Sequence, residues 1–128
     1  MSGDADADAD AAEVEEGSET FEDMELPEKL LRGIYAYGFE KPSTIQRKAI
    51  PAMKTRRDII AQAQSGTGKT ASFVVGALQL VNPTITKCQA IILTPTRELA
   101  HQVASFVEAV SDFMDVKMHA CVGGTLVR

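Results

Sequence analysis

A glycine-rich stretch near the middle of the chain limits most strongly what it can fold into. Residues 63–70 read Ala-Gln-Ser-Gly-Thr-Gly-Lys-Thr, between an apolar segment at 58–63 and a helix-forming segment at 69–80. Gly66 and Gly68 allow the backbone to curl until successive N–H groups point at one centre, and the helix start adds partial positive charge. This pattern predicts a loop that binds phosphate groups. The alternative is a glycine-rich turn that carries a surface lysine.

The residues of this loop have separable expected roles. Lys69 is expected to reach the outer phosphates and to act in catalysis with Thr70, whose hydroxyl is expected to ligate Mg²⁺. Ala63 stands where glycine is usual; because this position closes the strand without needing a positive φ, a small residue should suffice. The predicted phosphate-binding residues are Ala63, Gln64, Ser65, Gly66, Thr67, Gly68, Lys69 and Thr70.

A second motif, Gly-Phe-Glu-Lys-Pro-Ser-Thr-Ile-Gln at 38–46, is predicted to recognise adenine. The amide of Gln46 can pair with both the N6 donor and the N7 acceptor of that base, and Phe39 can stack on the base. The expected nucleotide is ATP, and Lys41 is a further residue expected to bind it. An alternative remains for Gln46, because its spacing from Ser43 is that of a capping box at a helix start.

Strand-like and helix-like segments alternate along the chain, which predicts an α/β fold with a parallel sheet and flanking helices. Buried strands are expected at 58–63 and 89–94, and a third strand at 116–122. Pro27 and Gly38 should bound a first helix, Ser43 should start a second, and helices are expected at 69–80 and 97–114. The predicted inward side chains include Tyr37 and Leu99, and both cysteines, Cys88 and Cys121, are expected to be buried and free.

Charge divides the chain into two parts. Residues 1–25 hold eleven of the eighteen acidic residues and no Lys or Arg, whereas residues 26–128 hold thirteen basic and seven acidic residues. The acidic part is expected to form a disordered tail over residues 1–20. A basic cluster follows, either as an RNA-binding patch or as a solvated helix face: Lys41, Arg47, Lys48, Lys54, Arg56 and Arg57.

The sequence also restricts the compartment. Neither a secretory signal nor an apolar run of about 20 residues is present, so we expect no membrane association and a cytoplasmic or nuclear location.

Four motifs in order resemble those of the DEAD-box ATP-dependent RNA helicases: residues 38–46, the loop at 63–70, Pro-Thr-Arg-Glu-Leu-Ala at 95–100, and the glycine pair at 123–124. Phe21 stands where that family has an isolated aromatic residue. The resemblance is strongest to the branch that contains translation initiation factor 4A and its exon-junction relative. It implies an incomplete RecA-like P-loop domain over 21–128, with a Q motif at about 21–49, a Walker A loop at 63–70 and motif Ia at 95–100.

The resemblance further implies RNA as a partner, bound through its backbone and independently of sequence. The residues implied in those contacts are Pro95, Thr96, Arg97, Gly123, Gly124 and Thr125. Taken alone, the first three are typical of a strand-to-helix turn and the glycines of an ordinary turn. Translation initiation scaffold proteins are further candidate partners.

The sequence has no Asp-Glu-Ala-Asp run, no Ser-Ala-Thr motif and no second RecA-like domain. We therefore expect this chain alone, read as a fragment of a helicase, to be inactive in ATP hydrolysis. The resemblance also implies that, in the family's sheet, strands from the part absent here lie between the strands at 58–63 and 89–94. Without those neighbouring strands the isolated chain should be marginally stable. Two alternatives are a short non-catalytic product that binds nucleotides or partners, and a different phosphate-loop NTPase.

Overall fold

The structure, a computed structural model, describes residues 18–124. A 3-10 turn at Glu22–Met24 precedes four helices: α1 (Glu28–Tyr37), α2 (Thr44–Met53), α3 (Lys69–Leu78) and α4 (Arg97–Val110). None of these helices has the length and hydrophobicity needed to cross a bilayer. Most of the predicted disordered tail, residues 1–17, lies outside the described residues.

Local sequence signals set the boundaries of the first two helices. Pro27 precedes the first residue of α1, and Gly38, with φ 115°, ends the helix by donating its N–H to the carbonyl of Ile34. Ser43 caps α2 through its side chain. These three predicted boundaries are confirmed. A turn at residues 54–56 follows α2 and ends at Arg56, a non-glycine residue with φ 60°.

The other two helices are shorter than predicted. α3 ends at Leu78 instead of residue 80, and α4 ends at Val110 instead of residue 114. Met114 is nevertheless buried, and its N–H donates to the carbonyl of Ser111 in a turn. Its apolar side chain therefore serves the core without extending the helix, which is why the hydrophobic pattern overestimated the length of α4.

The core lies where α3 packs against α2 and α4, and where α1 packs against α4. α1 and α4 approach so closely that a Cβ on Gly33 would collide with the backbone carbonyl of Val110. Two residues predicted to face inward do not: Tyr37 is 52% exposed and Leu99 is 38% exposed. The buried hydrophobic cluster comprises Phe21, Met24, Leu26, Leu30, Ile34, Ile50, Ala71, Val74, Val75, Leu78, Phe106, Val107, Val110 and Met114.

The predicted parallel sheet is not confirmed. Within residues 18–124, the segments 58–63, 89–94 and 116–122 contain no strand. Ile60, Ile91 and Leu93 are 93%, 80% and 89% exposed, so the expected burial of the first two segments is wrong. A strand is held by hydrogen bonds to a neighbouring strand, and these segments have no such neighbour among the described residues.

The same difference explains the two cysteines. Cys88 and Cys121 are free, as expected, but both are exposed, which corrects the prediction of buried thiols. Cys121 lies in the third segment that was expected to be a strand, and Cys88 directly precedes the second.

Candidate functional site

The glycine-rich loop curls immediately before α3. Gly66 and Gly68 have φ values of 80° and 92°, in the left-handed region that glycine adopts at little cost. The loop is closed by Thr67, whose N–H and hydroxyl both donate to the carbonyl of Gln64, at 3.3 and 2.6 Å. Ser65 is exposed. The local geometry is therefore that of a tight, solvent-accessible turn leading into a helix.

Gly68 is the N-cap residue of α3, and its carbonyl oxygen is heavily used. It accepts hydrogen bonds from the N–H of Ser72 at 3.1 Å, from the Ser72 hydroxyl at 3.0 Å, and from Nε2 of Gln46 at 3.5 Å. Ser72 is completely buried. Sequence reasoning missed it, although a serine four residues into a helix commonly bonds back to the i−4 carbonyl.

The first two side chains of α3 are the predicted phosphate and metal ligands. Lys69 begins the helix and is half-buried, whereas Thr70 follows it and is exposed. Free N–H groups at a helix start favour negatively charged ligands. Both residues therefore lie at the start of the helix that follows the loop, and their contact with phosphate and metal stays a prediction.

Gln46 satisfies the capping alternative and also reaches the loop. Its Oε1 accepts from the N–H of Ser43 at 2.9 Å, and its own N–H donates to the Ser43 hydroxyl at 3.4 Å, which completes the capping box. The Nε2 group then contacts Gly68, and the whole residue is only 3% exposed. One side chain thus ties the start of α2 to the start of α3. Adenine recognition by Gln46 stays a prediction.

Phe39 belongs to an aromatic cluster. Its ring stacks on Tyr37 at 5.3 Å between centroids and contacts Phe106 and Phe21 at 5.9 and 6.1 Å. These contacts anchor the motif at 38–46 to the core, and stacking of Phe39 on a base stays a prediction. Lys41 is exposed in the bend between α1 and α2.

A hydrogen bond links the N-terminal turn to α1 beside this cluster. The Tyr35 hydroxyl donates to the Glu22 carboxylate, which raises the pKa of Tyr35 to about 12 and lowers the pKa of Glu22. Phe21 packs edge-on against the ring of Tyr35. The turn that precedes the motif is therefore fixed by polar and apolar contacts together.

The predicted RNA-binding residues come from two parts of the chain that meet in space. Thr96 caps α4 by accepting from the N–H of Leu99 at 3.2 Å, as expected. The Arg97 guanidinium lies 3.8 Å from the position a Cβ would occupy on Gly124, which has φ 88°. Pro95 and Gly123 are exposed, whereas Thr125 lies outside the described residues.

The chain offers Mg²⁺ a limited set of ligands. Mg²⁺ keeps several waters and is commonly held by substrate phosphates with one or two protein oxygens. The exposed hydroxyl of Thr70 fits that manner of binding. Residues 18–124 contain no group of three or more His, Cys, Asp or Glu side chains arranged to hold a metal ion.

Comparison with known proteins shows which family the chain belongs to. The family described as DEAD/DEAH box helicase matches residues 43–128 of the chain. The chain belongs to the DEAD/DEAH box helicases. It is 57% identical over 114 residues to the ATP-dependent RNA helicase eIF4A of Chaetomium globosum, covering 89% of this chain and 29% of that protein. It is 58% identical over 110 residues to the eIF4A helicase of Schizosaccharomyces pombe, covering 86% and 28%.

Solved structures of DEAD-box proteins resemble the fold of this helicase chain. Saccharomyces cerevisiae Dbp5 bound to RNA and ADP BeF3 superposes with a TM-score of 0.73 at 45% identity, covering 77% of this chain and 26% of that one. Prp28 from Chaetomium thermophilum bound to ADP gives a TM-score of 0.77 at 35% identity, covering 86% and 28%. The chain therefore has the fold of part of a DEAD-box helicase core, and it spans less than a third of these relatives.

Proposed function

We propose that the chain supplies the nucleotide-binding loop and part of the RNA-binding surface of an RNA-stimulated ATPase and helicase similar to translation initiation factor 4A. One observation carries this proposal. The paired left-handed glycines at 66 and 68 open α3, and Gln46 is bonded to that loop, in a chain of the DEAD/DEAH box family. The relatives named eIF4A support the assignment to the initiation-factor branch.

In this proposal the loop binds the phosphates of ATP. The backbone N–H groups of residues 64–70 and the Lys69 ammonium group neutralise the phosphate charge, and the Thr70 hydroxyl contributes to a bound Mg²⁺. The metal ion would screen the negative charge that the phosphates share. Two proteins of similar fold, Dbp5 bound to RNA and ADP BeF3 and Prp28 bound to ADP, support nucleotide binding by this chain.

Adenine would bind on the side of the loop where Gln46 lies. The amide of Gln46 has a second N–H and a second acceptor lone pair beyond the capping bonds observed. Gln46 is only 3% exposed, so a base would reach these groups only after the chain that covers the amide moves aside. Phe39 and Lys41 are proposed to complete the nucleotide site from the bend between α1 and α2.

RNA would bind at the start of α4. Arg97 supplies charge, the capped helix start supplies N–H groups, and Gly124 lets a backbone approach closely. Such contacts read charge and shape, so binding should be independent of sequence and sensitive to salt. Pro95, Thr96, Gly123 and Thr125 are proposed as the adjoining contacts. Translation initiation scaffold proteins are proposed as further partners, and the cytoplasm as the location.

The decisive experiment uses the full-length protein that contains this chain. Lys69→Ala should abolish ATP binding and RNA-stimulated ATP hydrolysis, because the phosphates lose their main protein charge. Lys87→Ala is the matched control, since Lys87 is an exposed lysine outside the loop. Normal ATP binding by the Lys69 variant would refute the proposal.

A second measurement tests the RNA part separately. Arg97→Gln should weaken RNA binding by a similar factor for all sequences and reduce its salt dependence, with ATP binding retained. An ATPase with full activity that RNA does not stimulate would indicate another phosphate-loop NTPase.

A further inference from the structure

The outer side of α2 carries a dense set of positive charges. Gln46, Ala49 and Ile50 form its buried side. Lys48 lies opposite them and is exposed, and the half-buried Arg47 lies on the flank of the helix. Arg47 and Lys54 are seven residues apart, which aligns them on one side of the helix axis about 10 Å from each other. We call this set, together with the loop that follows, the basic face of α2; it comprises Lys41, Arg47, Lys48, Lys54, Arg56 and Arg57.

One acidic side chain already binds to this face. Lys54 Nζ lies 3.6 Å from the Glu25 carboxylate and donates to the main-chain carbonyls of Glu25 and Met24, at 3.3 and 3.5 Å. Lys54–Glu25 is the one salt bridge found among residues 18–124. The chain that follows the acidic N-terminal region therefore runs directly past the C-terminal end of α2.

The N-terminal region has the opposite charge to the basic face. Residues 4–16 contain seven Asp or Glu and no Lys or Arg, and Asp4, Asp6, Asp8 and Asp10 occupy alternate positions. A tether within one chain also gives an effective concentration in the millimolar range, which favours an internal anion over a dilute external one.

We infer that the acidic segment 4–16 binds to the basic face of α2 in the same molecule and competes there with external polyanions such as RNA. The Glu25–Lys54 pair is the fixed end of this contact. The occupant is a segment of the chain itself, selected by charge and by its attachment beside Lys54. This contact does not depend on ATP or on the proposed helicase activity.

Zero-length cross-linking of the 128-residue chain tests the inference. A carbodiimide joins a carboxylate to a lysine only when the two touch, so mass spectrometry reports which lysines the segment reaches. A mixture of ¹⁴N- and ¹⁵N-labelled chains separates contacts within one molecule from contacts between molecules. Lys87 and Lys117 are exposed lysines outside the basic face and act as controls, and the Glu25–Lys54 pair calibrates the yield.

At about 0.1 M salt, cross-links from residues 4–16 to Lys48 and Lys54 should exceed those to the control lysines about fivefold; near 1 M salt the excess should vanish, because screening shortens from about 10 Å to about 3 Å. Arg47→Gln with Arg57→Gln should reduce the yield while leaving the reactive lysines intact. Replacing the four alternating Asp by Asn should reduce it and increase affinity for a short polyuridine oligonucleotide.

Three results would overturn the inference. The first is equal cross-linking to all exposed lysines, and the second is cross-linking mainly between molecules. The third is a loss of polyuridine binding in the arginine variant together with no cross-links from residues 4–16. That last result would make RNA the occupant of the basic face.

Discussion

Gly68→Ala should damage the chain far more than Gly66→Ala, although both glycines have positive φ. A Cβ at Gly66 would meet nothing within 4 Å. A Cβ at Gly68 would collide with Nε2 of Gln46 and would lie 3.2 Å from both Gln46 Cδ and the Ser43 hydroxyl. The second substitution therefore has to move the side chain that joins α2 to α3.

The size of the difference follows from these contacts. Alanine in a left-handed conformation costs about 1–2 kcal/mol, which both variants share. Moving the Gln46 side chain weakens the two hydrogen bonds that its amide makes, to the Gly68 carbonyl and from the Ser43 N–H, which together contribute about 1–2 kcal/mol. Gly68→Ala should thus lower the free energy of unfolding by about 2–4 kcal/mol and Gly66→Ala by about 1–2 kcal/mol.

A double-mutant cycle with Gln46→Ala isolates the collision. Unfolding of the four chains by urea is followed by circular dichroism, in an osmolyte that stabilises all of them. Without the Gln46 amide, Gly68→Ala should be no more harmful than Gly66→Ala, giving a coupling energy of about 1–2 kcal/mol. Additive effects of the two substitutions would refute the close contact between Gln46 and Gly68.

Three further predictions concern packing, pH and activity. Gly33→Ala should lower the free energy of unfolding by about 1–2 kcal/mol in urea titrations, because its Cβ meets a backbone carbonyl of α4. Gly76→Ala is the control and should be nearly neutral, since its Cβ meets the flexible side chain of Met53. The stability from the Tyr35–Glu22 hydrogen bond should be present from neutral pH to about pH 10 and lost as the pH rises towards about 12, because the pKa of Tyr35 is raised in the folded chain. It should also fall in acid, because the pKa of Glu22 is lowered. Absorbance titration should show one tyrosine with a pKa of about 12. Glu22→Gln should return the pKa of that tyrosine towards its ordinary value. The 128-residue chain should show no ATP hydrolysis with RNA present, and measurable turnover would contradict the expected need for further catalytic residues.

Helix boundaries were predictable because their signals are local. Pro27, Gly38, Ser43 and Thr96 act within one turn of their own positions, through fixed φ, a left-handed cap or a side-chain hydrogen bond. The backbone of the glycine-rich loop was predictable for the same reason, since glycine at 66 and 68 signals a left-handed conformation before any packing is known.

The features that could not be predicted depend on contacts distant in sequence. The apolar runs containing Ile60 and Ile91 have the composition of buried strands, yet burial requires neighbours that composition does not specify. Leu99 was expected to face inward from helical periodicity, but the side of α4 that bears it is only partly covered. Pairing of Arg97 with Gly124 likewise joins segments more than twenty residues apart.

The three donors that converge on the Gly68 carbonyl also fix an atom that none of them touches. A peptide unit is planar and trans, so its N–H points opposite to its C=O. Holding the Gly68 oxygen towards Ser72 and Gln46 turns the amide hydrogen of Lys69 the other way, out of the end of the helix. The fold thus sets the orientation of that donor before a ligand binds. Binding then involves no further loss of entropy for aligning it.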